Sequence, residues 1–312
     1  MSRLTECLAP YRTISIIGMA KNAGKTTTLN HLITNFHQEN TSLALTSVGR
    51  DGERTDIVTK TAKPEIFVFQ GTFIATAEGL LSLCDITKEI VMLTNINTPM
   101  GRVVVVRALS DGFVQLGGPS ITTQIADLLE HLPTDKVIVD GAISRKTLAS
   151  PSVTEATILC TGAGLSRNMN TVIEETRHAV EMLTIPKLED PRILAELEQV
   201  TDEKTAIQRG YLYLPGAVSD TFVRNFIMSN ANLKGLYLIA EDPSKLFIKP
   251  DTYQKLLLRE VVLTVRTPIH LVGLTVNPVS PYSVGFDPRA FLEQMREAVS
   301  IPVYDVCATS DL

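Results

Sequence analysis

Between residues 18 and 27 the chain reads GMAKNAGKTT, a run of small residues that ends in a lysine and two threonines. Small residues let backbone N–H groups come close to a phosphate, and a helix starting at the lysine adds its own unpaired N–H groups and its dipole. In such a loop Gly18, Asn22, Ala23, Gly24, Lys25, Thr26 and Thr27 surround a nucleoside triphosphate. Lys25 is placed to meet the β- and γ-phosphates, and the Thr26 hydroxyl to hold Mg2+. The common pattern is G-x4-G-K-[ST]. Here Met19 occupies its first glycine position and Gly18 lies one residue earlier, giving G-x5-GKT.

A phosphate-bound Mg2+ calls for carboxylates at neighbouring strand ends. VIVDGA (137–142) is an apolar run ending in Asp140, which is expected to deliver one such acid, or else to cap a plain strand-end turn. SVGRDGERTD (47–56) follows a second β-rich run and offers Asp51 as another metal-linked, catalytic acid, with Asp56 in reserve. Arg50 can contact a phosphate or an anionic substrate there; a solvated charged turn is the competing reading. Asn277, opening NPVSP after HLVGLTV, is a candidate contact for the base edge, although Asn-Pro and Ser-Pro pairs also build simple turns. The guanine signature NKxD is missing, which favours ATP over GTP. TGAGLS (161–166), with Gly162 and Gly164, forms a further tight loop at the expected carboxyl edge of the sheet.

The elements that must carry these residues alternate. ISIIG (14–18) reads as a buried strand feeding the loop, and Leu29, Leu32, Ile33 and Phe36 recur on one helical face. Strands follow at 42–48 and 65–69, then a helix around 75–84 and a strand at 89–93. The runs 102–108 and 113–116, separated by Asp111-Gly112, read as a hairpin. A helix over 120–131 leads to strands at 136–142 and 154–160, and a helix over 170–183 comes next. Later strands are expected at 210–214, 235–240 and 268–276, and Asp287-Pro288 starts a closing helix before IPVYDV. The fold class is therefore α/β: a mainly parallel central sheet flanked by helices, of P-loop NTPase type, with an antiparallel hairpin addition. A polar stretch at 187–205 separates a nucleotide-binding domain, 1–186, from a C-terminal α/β region, 187–312, that can be continuous with it.

Composition bounds the partners. A net charge of −5 and a pI near 5.6 argue against an electrostatic grip on nucleic acid or acidic membranes. No apolar run approaches the ~18 residues that span a bilayer, and the first residues lack a secretory signal's apolar core. Cys7, Cys84, Cys160 and Cys307 are far apart with no CxxC pair, and the five histidines show no ligand spacing. A reduced, cytoplasmic protein without a zinc site is expected.

The G-x5-GKT spacing resembles that of dethiobiotin synthetase and the cobyrinate amidases, within the wider P-loop class that includes MinD-like ATPases. Lys21 stands one position from the signature lysine that MinD-like proteins use in trans, so a local or solvated role is expected for it. Several phrases along most of the chain are similar to the small subunit of the lysine 5,6-aminomutase reactivase. These are ISIIGMAKNAGKTT, SVGRDGERTD, GTFIATAEG, VDGAISRKTLASPSVTEATILCTGA, LPGAVSD and TVNPVSPYSVGFDP. That resemblance implies an ATP- and Mg2+-dependent ATPase subunit that reactivates a coenzyme-B12-dependent aminomutase by cobalamin exchange. It implies the aminomutase and a MutS-like ATPase as protein partners. No DxHxxG motif is present to supply a histidine ligand to cobalamin. Two alternatives stay open, an ATP-dependent ligase of the dethiobiotin synthetase type and a nucleotide-binding regulatory protein. Against the first, Gly49-Arg50 stands where those synthetases carry a lysine-proline pair.

Overall fold

The computed structural model describes residues 4–49, 65–141, 153–197, 209–280 and 284–307. The chain divides into two compact units, residues 1–176 with 271–312, and residues 177–270. The first unit begins with α1 (Leu4–Leu8), β1 (Thr13–Gly18), α2 (Lys25–Gln38) and β2 (Leu43–Ser47). It continues through β3 (Ile66–Val68), β4 (Phe73–Ala77), β5 (Lys88–Thr98), β6 (Gly101–Ala108) and β7 (Gly112–Val114). Then come α3 (Thr122–Glu130), β8 (Lys136–Asp140), β9 (Ala156–Gly162) and α4 (Met169–Leu183), whose first half belongs to this unit.

A nine-stranded sheet organises this unit, in the order β16-β15-β9-β1-β8-β2-β4-β6-β5, where β15 is Leu271–Asn277 and β16 is Val303–Asp305. Every pairing from β16 to β4 is parallel, and β4, β6 and β5 pair antiparallel at one edge. Strands buried on both faces need unbroken apolar or small residues, and β1, β2 and β9 are buried at every position. On α2, Leu29, Leu32, Ile33 and Phe36 all turn into the same core as Ile14, Ile16 and Leu45. The expected face is the observed one.

The second unit carries α5 (Pro191–Glu196), β10 (Tyr211–Leu214), β11 (Val218–Ser219), α6 (Asp220–Ser229) and β12 (Tyr237–Ala240). After these come β13 (Leu246–Phe247), α7 (Pro250–Leu258) and β14 (Val262–Val265). A parallel sheet of order β10-β12-β14 stands over its own core, which includes Val223, Phe226, Leu238 and Leu256. The chain then returns to the first unit through β15, α8 (Pro288–Ala298) and β16. Asp287 caps α8 as its sequence position foretold, accepting from Ala290 N at 2.8 Å.

Two expectations need correction. The stretch 75–84 is not a helix: Phe73–Ala77 is a strand between β2 and β6, and Glu78–Leu83 is a 3-10 turn. Pairing with distant strands outweighs the local helical pattern, and Gly79 N donates to Met100 O at 3.0 Å, tying the 3-10 turn to the β5–β6 turn. The hairpin partner also differs. β6 pairs with β5 across the turn Thr98–Gly101, where Gly101 takes φ +101°, and β7 pairs with β3. Asp111 accepts from Gln70 N at 2.7 Å, which draws the chain after β6 towards β3 instead of back along β6. No helix among the described residues is long and apolar enough to cross a membrane.

Candidate functional site

The buried strand β1 ends at Gly18, and the chain leaves the sheet with Met19 N donating to Cys160 O on β9 at 2.8 Å. Two left-handed residues, Asn22 at φ +64° and Gly24 at φ +93°, turn it back into α2. Gly24 is the N-cap and brings no side-chain cap to the first-turn N–H groups. That end of α2 therefore keeps its donors and the positive end of its dipole for other partners. Ala23 and Gly24 are buried, whereas Lys25, Thr26 and Thr27 are half-buried around the first turn.

Gly18 has a steric reason to be glycine. A Cβ there would lie 2.8 Å from Lys25 Cγ and 2.9 Å from its Cδ, so the lysine arm runs directly over this residue. Its Nζ donates to Gly141 O at 2.8 Å. Gly141 follows Asp140 at the end of β8, and β8 lies between β1 and β2, with Asp140 in register with Ile16 and Ser47. The loop lysine and the strand-end acid, 115 positions apart in sequence, thus meet at one sheet edge. Asp140 Oδ1 is buried there, and Asp140 O accepts from Val48 N at 3.1 Å. Beneath them lies Cys160, whose thiol is pushed up to about 11, chiefly by burial.

Asn277 also reaches the loop. Its Cβ lies 2.8 Å from where a Cβ on Gly24 would stand. Its Oδ1 accepts from Val279 N at 3.0 Å and from Cys307 Sγ at 3.4 Å, which is the side-chain-closed turn that Asn-Pro can build. The segment 161–166 leans on the same loop. A Cβ on Gly164 would meet Asn22 O at 2.9 Å and Lys21 O at 3.0 Å, and one on Gly162 would meet Asn277 O at 2.3 Å. These glycines answer to close backbone approach.

Arg50, Asp51 and Asp56 lie outside the described residues. Two groups that sequence reasoning missed border the site. Gly118 packs so close to the end of β2 that a Cβ would sit 2.0 Å from Ser47 O; Gly117-Gly118-Pro119 announces a turn but not where it lies. Buried Thr28 and Thr275 share a hydroxyl contact of 2.8 Å, and nothing in a short apolar strand pattern marks such a pair.

Among the described residues no group of three or more His, Cys, Asp and Glu forms a ready-made metal cage. A Mg2+ held largely by phosphate oxygens and water needs only one or two protein ligands. The Thr26 hydroxyl and the Asp140 carboxylate are hard oxygen donors suited to it, and the start of α2, which its N-cap Gly24 leaves without a side-chain cap, offers N–H groups to phosphate. The residues present fit the group. Comparison with protein-family models, curated proteins and solved structures returned no match to this chain.

Proposed function

We propose that loop 18–27 binds a Mg2+-nucleoside triphosphate, ATP in preference to GTP, on a P-loop NTPase fold. One observation carries the reading: an uncapped helix start behind a glycine loop, with Lys25 laid over Gly18 to the end of the acid-bearing strand β8. The direct adjacency of β8 and β1 supports it, because that order sets a carboxylate beside the loop. First-turn N–H groups and Lys25 would bind and orient the phosphates, Lys25 exchanging Gly141 O for a phosphate oxygen. Thr26 and Asp140 would hold Mg2+, with Asp51 as the second acid. The bound metal supplies charge neutralisation on the phosphate oxygens.

The chain is further proposed to be an ATPase subunit that turns this cycle into motion in a protein partner. By the resemblance of its sequence phrases, that partner is a coenzyme-B12-dependent aminomutase, reactivated by cobalamin exchange together with a MutS-like ATPase. A hydrolytic cycle does such work only through differing affinity of its states for the partner.

Lys25→Ala is expected to abolish the rise in melting temperature that Mg2+-ATP gives the parent protein, while Asp140→Asn keeps binding and loses Mg2+-dependent hydrolysis. Undiminished ATP binding by Lys25→Ala removes the site assignment. ADP release stimulated by the aminomutase supports the reactivase role. Stimulation by a small carboxylate alone points to ligation instead.

A further inference from the structure

We infer that β15 sets the position of the nucleotide loop by gripping the start of α2 at two points one helical turn apart. The inference rests on the nucleotide reading of loop 18–27 and adds positioning residues to it. The first point is Asn277, whose Cβ abuts Gly24 closely enough that glycine is required there. The second is Thr275, whose hydroxyl meets that of Thr28 at 2.8 Å, both side chains being buried.

The spacing explains why the two contacts coexist. Residues 275 and 277 point to the same face of β15, about 6.6 Å apart at a strand's rise per residue. Residues 24 and 28 lie on one side of α2, about 6 Å apart at a helix's rise. The two ladders match, so one strand face engages one helix stripe without strain. Cys160 completes the second point by donating to Thr28 Oγ1 at 3.4 Å, so the contact has a third anchor on β9. Because α2 begins at Lys25, fixing residues 24 and 28 fixes the lysine and the first-turn N–H groups between them. Asn277 is thus a positioning residue for the phosphate-facing end of the site, acting through Gly24 and not through a base.

Titration calorimetry with inorganic tripolyphosphate, ATP and GTP, each with Mg2+ and well below the melting temperature, tests this on the full chain. Thr275→Val keeps the shape and removes the hydroxyl. It is expected to weaken all three ligands together by about fivefold, the scale of one net hydrogen bond, with the ATP:GTP ratio unchanged. Thr275→Ser should restore affinity. Thr157→Val, which breaks a comparable buried contact with Ser15 at 2.9 Å, should lower stability and leave affinity alone. Asn277→Gly should weaken tripolyphosphate as much as ATP. A parent that binds all three ligands with Thr275→Val and Asn277→Gly unaffected overturns the grip but not the nucleotide site. Loss of ATP with tripolyphosphate retained in Asn277→Gly makes Asn277 a base contact and also overturns it. A parent that binds none of the three overturns the nucleotide reading and the grip with it.

Discussion

At Gly18 the absence of one methyl group decides where a charge goes. The Lys25 arm crosses the space that a Cβ would fill, and the methylenes it would strike lie in mid-chain, so the amine cannot keep its present position by moving only its tip. Gly18→Ala is therefore expected to turn Lys25 away from the end of β8 and to weaken Mg2+-ATP about tenfold, the effect of losing a charge-assisted contact. Gly18 does not stand in the left-handed region, so the same change should lower the melting temperature little. Calorimetric titration beside thermal unfolding separates the two effects. Equal affinity in variant and parent would show that the lysine reaches its position by another path. This residue was readable in the sequence, since G-x5-GKT is a local pattern fed by a local strand. Thr275 was not. A threonine inside an apolar strand looks like any β-branched filler until its partner, 247 positions away, is known.

Among the elements, those whose periodicity and caps agree were legible: β1, α2, β8, β9 and α8 stand where alternation, apolar spacing and Asp287-Pro288 put them. β4 and the β5–β6 hairpin were not, because their identity comes from pairing with strands that no window of sequence contains. In the second unit α6 shows how a buried acid can secure an element. Asp220, in its first turn, accepts from Lys249 N at 2.9 Å and meets Arg224 at 3.1 Å. Burial alone would raise its carboxyl, yet hydrogen bonds from the Thr252 side chain and the Lys249 backbone, with Arg224 nearby, hold it below the ordinary value. A depressed folded-state value means stabilisation that is present above the unfolded value, about 3.9, and lost as pH falls through the folded one. Asp220→Asn is expected to lower the melting temperature by about 2–4 °C at pH 7 and to match the parent once the parent's Asp220 is protonated in both its folded and unfolded states. A deficit that persists unchanged at the acid end would assign the loss to packing instead of charge.

For the whole molecule, the order of the sheet matters more than the order of the chain. The sequence boundary at 186/187 is set where the polar stretch 187–205 begins, but β15 and β16 come from beyond it and pair in line with β9. A fragment ending at residue 186 would leave β9, buried at all seven positions, as an open edge, and such edges invite aggregation. It is expected to lose cooperative unfolding and to sediment as aggregate, as read by circular dichroism on heating and by ultracentrifugation. A soluble fragment 1–186 that melts cooperatively and binds Mg2+-ATP would contradict this. Polarity could mark a break in the chain, but only pairing shows that the last strands belong to the first sheet.

The burial of Cys160 gives the molecule a built-in clock. With its thiol lifted to about 11, little of it is the reactive thiolate at pH 8, and its side chain is wholly enclosed. An alkylating reagent can modify it only while the seam between α2, β9 and β15 stands open, whereas the half-buried Cys7 and Cys307 are more accessible. The slow phase of labelling at Cys160, followed by mass spectrometry, thus counts excursions of that seam. Its retardation by a ligand would measure how firmly the closed arrangement is held, without any probe having to be introduced.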